Sequence, residues 1–122
     1  ADTMVFLGND RLGKPRDEED ALRMLRALSG RGHTVCTGVS VRRGAQEERF
    51  AVSTRVFFRP MTDDEIRAYI KTGEPMDKAG AYGVQSRGAL FVERIDGDFF
   101  NVMGLPVEQL GLVLARFGVK LL

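Results

Sequence analysis

Two alternating runs constrain this chain more than any other feature: Val35, Thr37, Val39 and Val41 within His33–Val41, and Phe50, Val52, Thr54, Val56 and Phe58 within Phe50–Phe58. Side chains on an extended strand point to opposite faces in turn, so period-two runs rich in Val, Thr and Phe predict two strands, each with one face buried. The connection Arg42–Arg49 is polar and contains Gly44. It is short enough to join the strands as an antiparallel hairpin, with its charge run read as the solvated tip.

The remaining elements arrange themselves around that hairpin. Thr3–Leu7 is β-prone and ends at Gly8-Asn9-Asp10, which predicts a buried strand and a tight reversal. Asp17 can cap a helix with Ala21, Leu22, Leu25 and Leu28 on one face and Met24 flanking, stopped at Gly30. Pro60 ends the second alternating strand, and Thr62-Asp63-Asp64-Glu65 has the form of a capping box before a helix through Ile66, Tyr69 and Ile70. Glu74–Gly88 is rich in glycine and reads as loop, Ala89–Ile95 as a central strand, and Pro106 as the opening of a last helix with Val107, Leu110, Val113, Leu114 and Phe117 inward. Interleaved helices and strands predict a single α/β domain over 1–122, bordering on α+β, with a mixed β-sheet and flanking helices.

Charge and cysteine content narrow the function classes. Eighteen Lys plus Arg stand against seventeen Asp plus Glu, a net charge of +1, so no global field draws the chain to nucleic acid or to an anionic membrane. Any anion must be met by a local site. Cys36 is the single cysteine and cannot form an intramolecular disulfide, which suits a reducing cytoplasm. The chain opens with Ala1-Asp2-Thr3 directly in a strand, and the expectation is that a preceding segment is missing.

Charged groups sit beside glycine or proline in three places: Asp2-Thr3, Gly13-Lys14-Pro15, and Gly73-Glu74-Pro75-Met76-Asp77-Lys78-Ala79-Gly80. A carboxylate on a sheet can hold a hard cation or orient water, and lysines can neutralise phosphate as compact charges. Singly, each has a plain reading: Asp2 a frayed terminus, Lys14 a solvated lysine, Asp77-Lys78 a local ion pair. His33 and Cys36 fall on opposite faces of their strand and form neither a metal site nor a nucleophilic pair. No Gly-rich loop ends in Lys-Ser or Lys-Thr, and no Gly-x-Gly-x-x-Gly follows a strand.

Taken in order, Ala1-Asp2-Thr3, Gly13-Lys14-Pro15, Leu28-Ser29-Gly30 with His33, Thr37-Gly38-Val39, Gly73 through Gln85, and Gly97-Asp98-Phe99-Phe100-Asn101-Val102-Met103-Gly104-Leu105-Pro106 resemble the Maf family of nucleotide pyrophosphatases. The resemblance implies an inosine triphosphatase-like fold with a cleft between two lobes. It implies hydrolysis of a nucleoside triphosphate between the α and β phosphates, assisted by Mg²⁺ or Mn²⁺. Asp2 would be the proton acceptor or hold the metal, Lys14 and Lys78 would bind phosphate, Thr3 and Gln85 would select the base, and Glu74 and Asp77 would support them.

Tyr82-Gly83-Val84-Gln85 is similar to the branch acting on dTTP and UTP, and a Gln amide suits a pyrimidine edge with its one donor and one acceptor face. A Ser-x-Ser-Pro-Arg-Arg string, a downstream Glu and a further Lys would normally precede Ala-Asp-Thr in the family. Without them the chain as given is expected to be a poor catalyst. The alternative expectation is a nucleotide- or partner-binding module linked to septum formation, with a homodimer as the candidate assembly.

Overall fold

A computed structural model describes residues 1–122. Five strands, β1 (Asp2–Leu7), β2 (Asp10–Leu12), β3 (Gly32–Arg43), β4 (Gln46–Phe58) and β5 (Val92–Asp96), form one sheet in the order β2-β1-β3-β4-β5. Four helices accompany it: α1 (Glu18–Leu28), α2 (Asp63–Lys71), α3 (Phe99–Met103) and α4 (Val107–Arg116). Short 3₁₀ turns occupy Glu74–Asp77, Ala79–Ala81 and Arg87–Phe91.

The hairpin read from the alternation is the backbone of the fold, and it is longer than the hydrophobic pattern shows. β3 and β4 pair from Gly32↔Phe57 to Arg43↔Gln46, leaving only Gly44 and Ala45 in the turn. The polar run is therefore strand. Arg42 and Arg49 both reach Glu47, at 3.9 and 2.8 Å, and Glu48 pairs with Arg116 of α4. Hydrophobic periodicity is blind here because both faces of this end of the hairpin are largely polar.

Val5, Leu7, Val35, Val56 and Phe58 are buried on one face of the sheet. Against them pack Ala21, Met24, Leu25 and Leu28 of α1 and Ile66, Tyr69 and Ile70 of α2. Both helices begin as read: Asp17 accepts from the Asp20 N–H, and Thr62 and Glu65 complete a capping box. In α1 it is Met24 rather than Leu22 that is fully buried.

Three expectations are corrected. The sheet is not mixed, since every pairing is antiparallel, and the class is α+β. The cause lies in residues 59–91, where the Arg59 N–H donates to the Phe91 carbonyl at 3.0 Å. The excursion returns to the point at which it left, so β5 runs back along β4. The predicted central strand Ala89–Ile95 is instead a 3₁₀ turn followed by an edge strand. In α4 only Val113 is buried, with Phe117 just beyond it, whereas Val107 is half exposed. No helix is long and apolar enough to cross a membrane.

Candidate active site

Three separate stretches of chain meet against the β1 edge of the core. Strand β1 turns Thr3 and Val5 toward the core face, where Thr3 pairs with Thr37 and Val5 with Val35 of β3. The loop between β2 and α1 brings Lys14, the excursion after α2 brings Lys78 through Gln85, and the end of α3 brings Val102, Met103 and Gly104. Together they line a cleft of about 320 Å³, a size at the lower end of small-molecule sites.

Backbone ties fix the two lysine-bearing loops to each other. The Gly80 N–H donates to the Gly13 carbonyl at 3.1 Å. Gly80 has φ +74°, and a Cβ there would lie 3.0 Å from Val5 Cγ1, so a side chain would be strained by the left-handed backbone and crowded against Val5. Ala81 follows with φ +66° while fully buried, the one non-glycine residue in that region, a conformation that costs on the order of 1–3 kcal/mol. This tight pair delivers Tyr82 into the core and Gly83 to the cleft.

The cationic side is ordered by a carboxylate. Lys78 Nζ donates to Asp77 Oδ1 at 3.0 Å, and this bond, with Lys14 also contributing, holds the Asp77 carboxyl below the usual carboxylate range. The Lys78 stem crosses Gly83 so closely that a Cβ at Gly83 would stand 2.7 Å from Lys78 Cε.

Glu74 organises the other side of the loop. Its carboxylate accepts from the Tyr69 and Ser86 hydroxyls and from the N–H groups of Arg87 and Gly88 at 3.2 and 3.0 Å. Burial pushes its pKa up, and these four donors outweigh burial and bring it down. The Tyr69 oxygen also accepts from the Gly83 N–H at 3.0 Å. Beneath the cleft, His33 is fully buried, its Nε2 2.7 Å from the Tyr82 hydroxyl and its Nδ1 without a partner.

A second polar thread runs from the cleft into the sheet. Thr3 Oγ1 lies 2.9 Å from Thr37 Oγ1, and the Thr37 hydroxyl donates to the Asn101 carbonyl at 3.2 Å. Asn101 is itself locked: its amide donates to Val35 O, Val52 O and Thr54 Oγ1 at 3.2, 3.0 and 2.9 Å, and its N–H is capped by Asp98.

Of the residues singled out in the sequence, Thr3, Lys14, Lys78 and Gln85 come together on the cleft. Asp2, Glu74 and Asp77 are not among its lining. Asp2 is exposed at the start of β1, opposite Gly38, and strand alternation sends its side chain to the face opposite Thr3. No three His, Cys, Asp or Glu side chains converge to hold a metal ion. Sequence reasoning missed the polar roles of Tyr69, Thr37 and Asn101. Asp98 ahead of an apolar pair is an N-cap signal that would have exposed α3, but nothing local marks Thr37.

An antiparallel α+β domain whose cleft presents two ammonium groups, a hydroxyl and a primary amide is the class these features define. The family model of Maf-like proteins matches residues 1–117, and the chain belongs to that family. It is 52% identical over 120 residues to the dTTP/UTP pyrophosphatase of Bacillus velezensis, a match covering 98% of this chain and 64% of that protein. It is 49% identical over 124 residues to the protein of the same name from Dictyoglomus turgidum, covering 100% and 64%. The Carboxydothermus hydrogenoformans dTTP/UTP pyrophosphatase is 53% identical over 120 residues, covering 97% and 64%. The chain thus spans a little under two thirds of the length of these relatives.

Proposed function

We propose that the protein containing this chain is a nucleoside triphosphate pyrophosphatase acting on dTTP and UTP. The observation that carries this reading is the convergence of Lys14, Lys78, Thr3 and Gln85 from distant parts of the chain onto one cleft, in a chain about half identical to relatives of that name.

In this reading water attacks the α-phosphorus, the bridging P–O bond to the β-phosphate breaks, and pyrophosphate leaves with the bonding electrons. Lys14 and Lys78 neutralise charge that grows on the leaving group, a role suited to compact ammonium cations. Lys78 is held ready by Asp77. Asp2, at the exposed start of β1 with its side chain on the face opposite Thr3, would have to turn its carboxylate toward the cleft to accept the proton of the attacking water or carry a metal ion. No three His, Cys, Asp or Glu side chains of this chain converge, so Asp2 would be the residue that holds a divalent ion here, a carboxylate being the oxygen ligand hard cations favour. Mg²⁺ or Mn²⁺ would supply charge neutralisation at the phosphates. Gln85 and Thr3 face the base.

The test is an assay of the gene's full-length product against UTP, dTTP, CTP, ATP and GTP, with pyrophosphate and orthophosphate measured separately. The expected result is nucleoside monophosphate and pyrophosphate in equal amounts from UTP and dTTP. Orthophosphate as the first product, or no turnover of any triphosphate, removes this reading.

A further inference from the structure

Three hydroxyl and carbonyl groups that no single motif links decide which way a proton points in the cleft. The Asn101 carbonyl can only accept, and it already receives the Gly104 N–H at 3.0 Å as well as Thr37. Thr37 therefore spends its one hydroxyl proton on Asn101. Thr37 Oγ1 is fully buried, so its remaining capacity is to accept, and its neighbour at 2.9 Å is Thr3 Oγ1. Two oxygens at that separation need a proton between them, and Thr3 is the only group left to supply it. Thr3 thus donates inward, and what its oxygen turns toward the cleft is a lone pair.

We propose that this one-way relay, Thr3 to Thr37 to the Asn101 carbonyl, makes Thr3 an obligate hydrogen-bond acceptor toward the ligand, and that it selects a pyrimidine protonated at N3, the ring atom set against it. The proposal rests on the pyrimidine triphosphate reading above and deepens it. Uracil and thymine share an imide N3–H, whereas cytosine presents an unprotonated N3 that only accepts. Facing a fixed acceptor, cytosine sets two lone pairs against each other. Gln85 cannot make this distinction alone, because its exposed amide can turn over and offer either a donor or an acceptor. Discrimination needs a group with no such freedom, and Thr3 is one because its partner is anchored. Asn101 is held in place by its three amide bonds and the Asp98 cap. Gly104 lies beside the hydroxyl, where a Cβ would stand at ordinary contact distance, 3.7 Å from Thr3 Oγ1. Thr37 and Asn101 are accordingly positioning residues, touching no ligand themselves.

The experiment compares kcat/KM for UTP and CTP in the full-length wild type, Thr37→Val and Thr37→Ser. Valine keeps the shape of Thr37 but removes both the acceptor for Thr3 and the donor to Asn101, so the Thr3 proton is free to turn into the cleft. The expected result is a UTP-to-CTP preference that falls roughly tenfold in Thr37→Val, carried mainly by KM, and is restored in Thr37→Ser. A Thr37→Val variant that loses activity on both substrates equally, or a Thr37→Ser variant that behaves like Thr37→Val, overturns the proposal. Should Thr37→Val fail to fold, Thr3→Val is read instead: a drop confined to UTP is expected, and an unchanged UTP-to-CTP ratio overturns it. Wild type that cleaves UTP and CTP equally well also overturns it while leaving the pyrophosphatase reading intact. If wild type cleaves neither, the pyrophosphatase reading fails, and the relay is then judged by titrating uridine and cytidine monophosphates: tighter uridine binding sustains it and equal binding ends it.

Discussion

His33 sits where a charge would be hardest to keep. Burial, with Arg55 adding, lowers its pKa from 6.5 to about 4. Between those values the unfolded chain binds a proton that the folded chain refuses. Stability therefore rises with pH across that window and falls on acidification, by about 3 kcal/mol in total, with no further contribution from this group below about pH 4. Urea midpoints measured between pH 4 and 7 should show this slope, and His33→Phe, which retains ring packing against Phe58 and Tyr82, should flatten it. The sequence identified His33 as a structural residue rather than a ligand, from its place on an alternating strand. It gave no hint that Nε2 would meet the Tyr82 hydroxyl, because that contact joins residues 49 apart whose elements say nothing of each other. The same is true of Glu74, read as part of a family string: its work is to collect donors from Tyr69, Ser86, Arg87 and Gly88, and only the folded loop reveals it.

Among the elements, those governed by local rules were legible and those governed by their neighbours were not. Caps at Asp17 and Thr62 could be read because each helix start satisfies its own N–H groups with side chains a few residues away. The apolar stripe of α4 was readable too, yet it did not disclose how little of the sheet the helix covers, and Val107 and Leu112 remain about half exposed at 51% and 53%. The loop Glu74–Gly88 owes its shape to close approach rather than to propensity. A Cβ at Gly88 would stand 2.2 Å from the Gly83 carbonyl oxygen and 2.9 Å from the Tyr69 hydroxyl. Gly88→Ala should then lower stability by about 1–3 kcal/mol and raise KM for nucleotide, because Gly83 through Gln85 move off the cleft. Gly13→Ala, with nothing within 4 Å of its Cβ, should leave stability nearly unchanged in the same thermal and urea melts.

For the molecule as a whole, the resemblance found four of the groups that meet on the cleft and the correct family, because short strings in a fixed order survive without knowledge of the fold. Strand direction was not legible: interleaved helices and strands suit a mixed sheet equally well, and the deciding Arg59–Phe91 bond spans the excursion. If Lys14 and Lys78 serve one polyphosphate, their effects must be coupled although they come from different parts of the chain. Lys14→Ala and Lys78→Ala in the full-length protein should each lower kcat/KM by about tenfold or more, and the double substitution should cost measurably less than the product of the two. Strict multiplicativity would mean that the lysines act on separate ligands.

The bond that closes residues 59–91 at their base also has an evolutionary reading. Departure and return share one anchor, and the part of the chain that carries Gln85 is tied down again further along, by Gly80 to Gly13 and by Tyr82 to His33 and Phe58. The excursion's buried apolar side chains are spread along its length, from Ile66, Tyr69 and Ile70 of α2 to Ala81, Tyr82 and Phe91. Only the exposed positions between these contacts, such as Ser86 and Arg87, can drift with the core left alone. The segment carrying Gln85 and the loop carrying Lys14 are therefore placed by one shared core, and a change that shifts either is felt by the other.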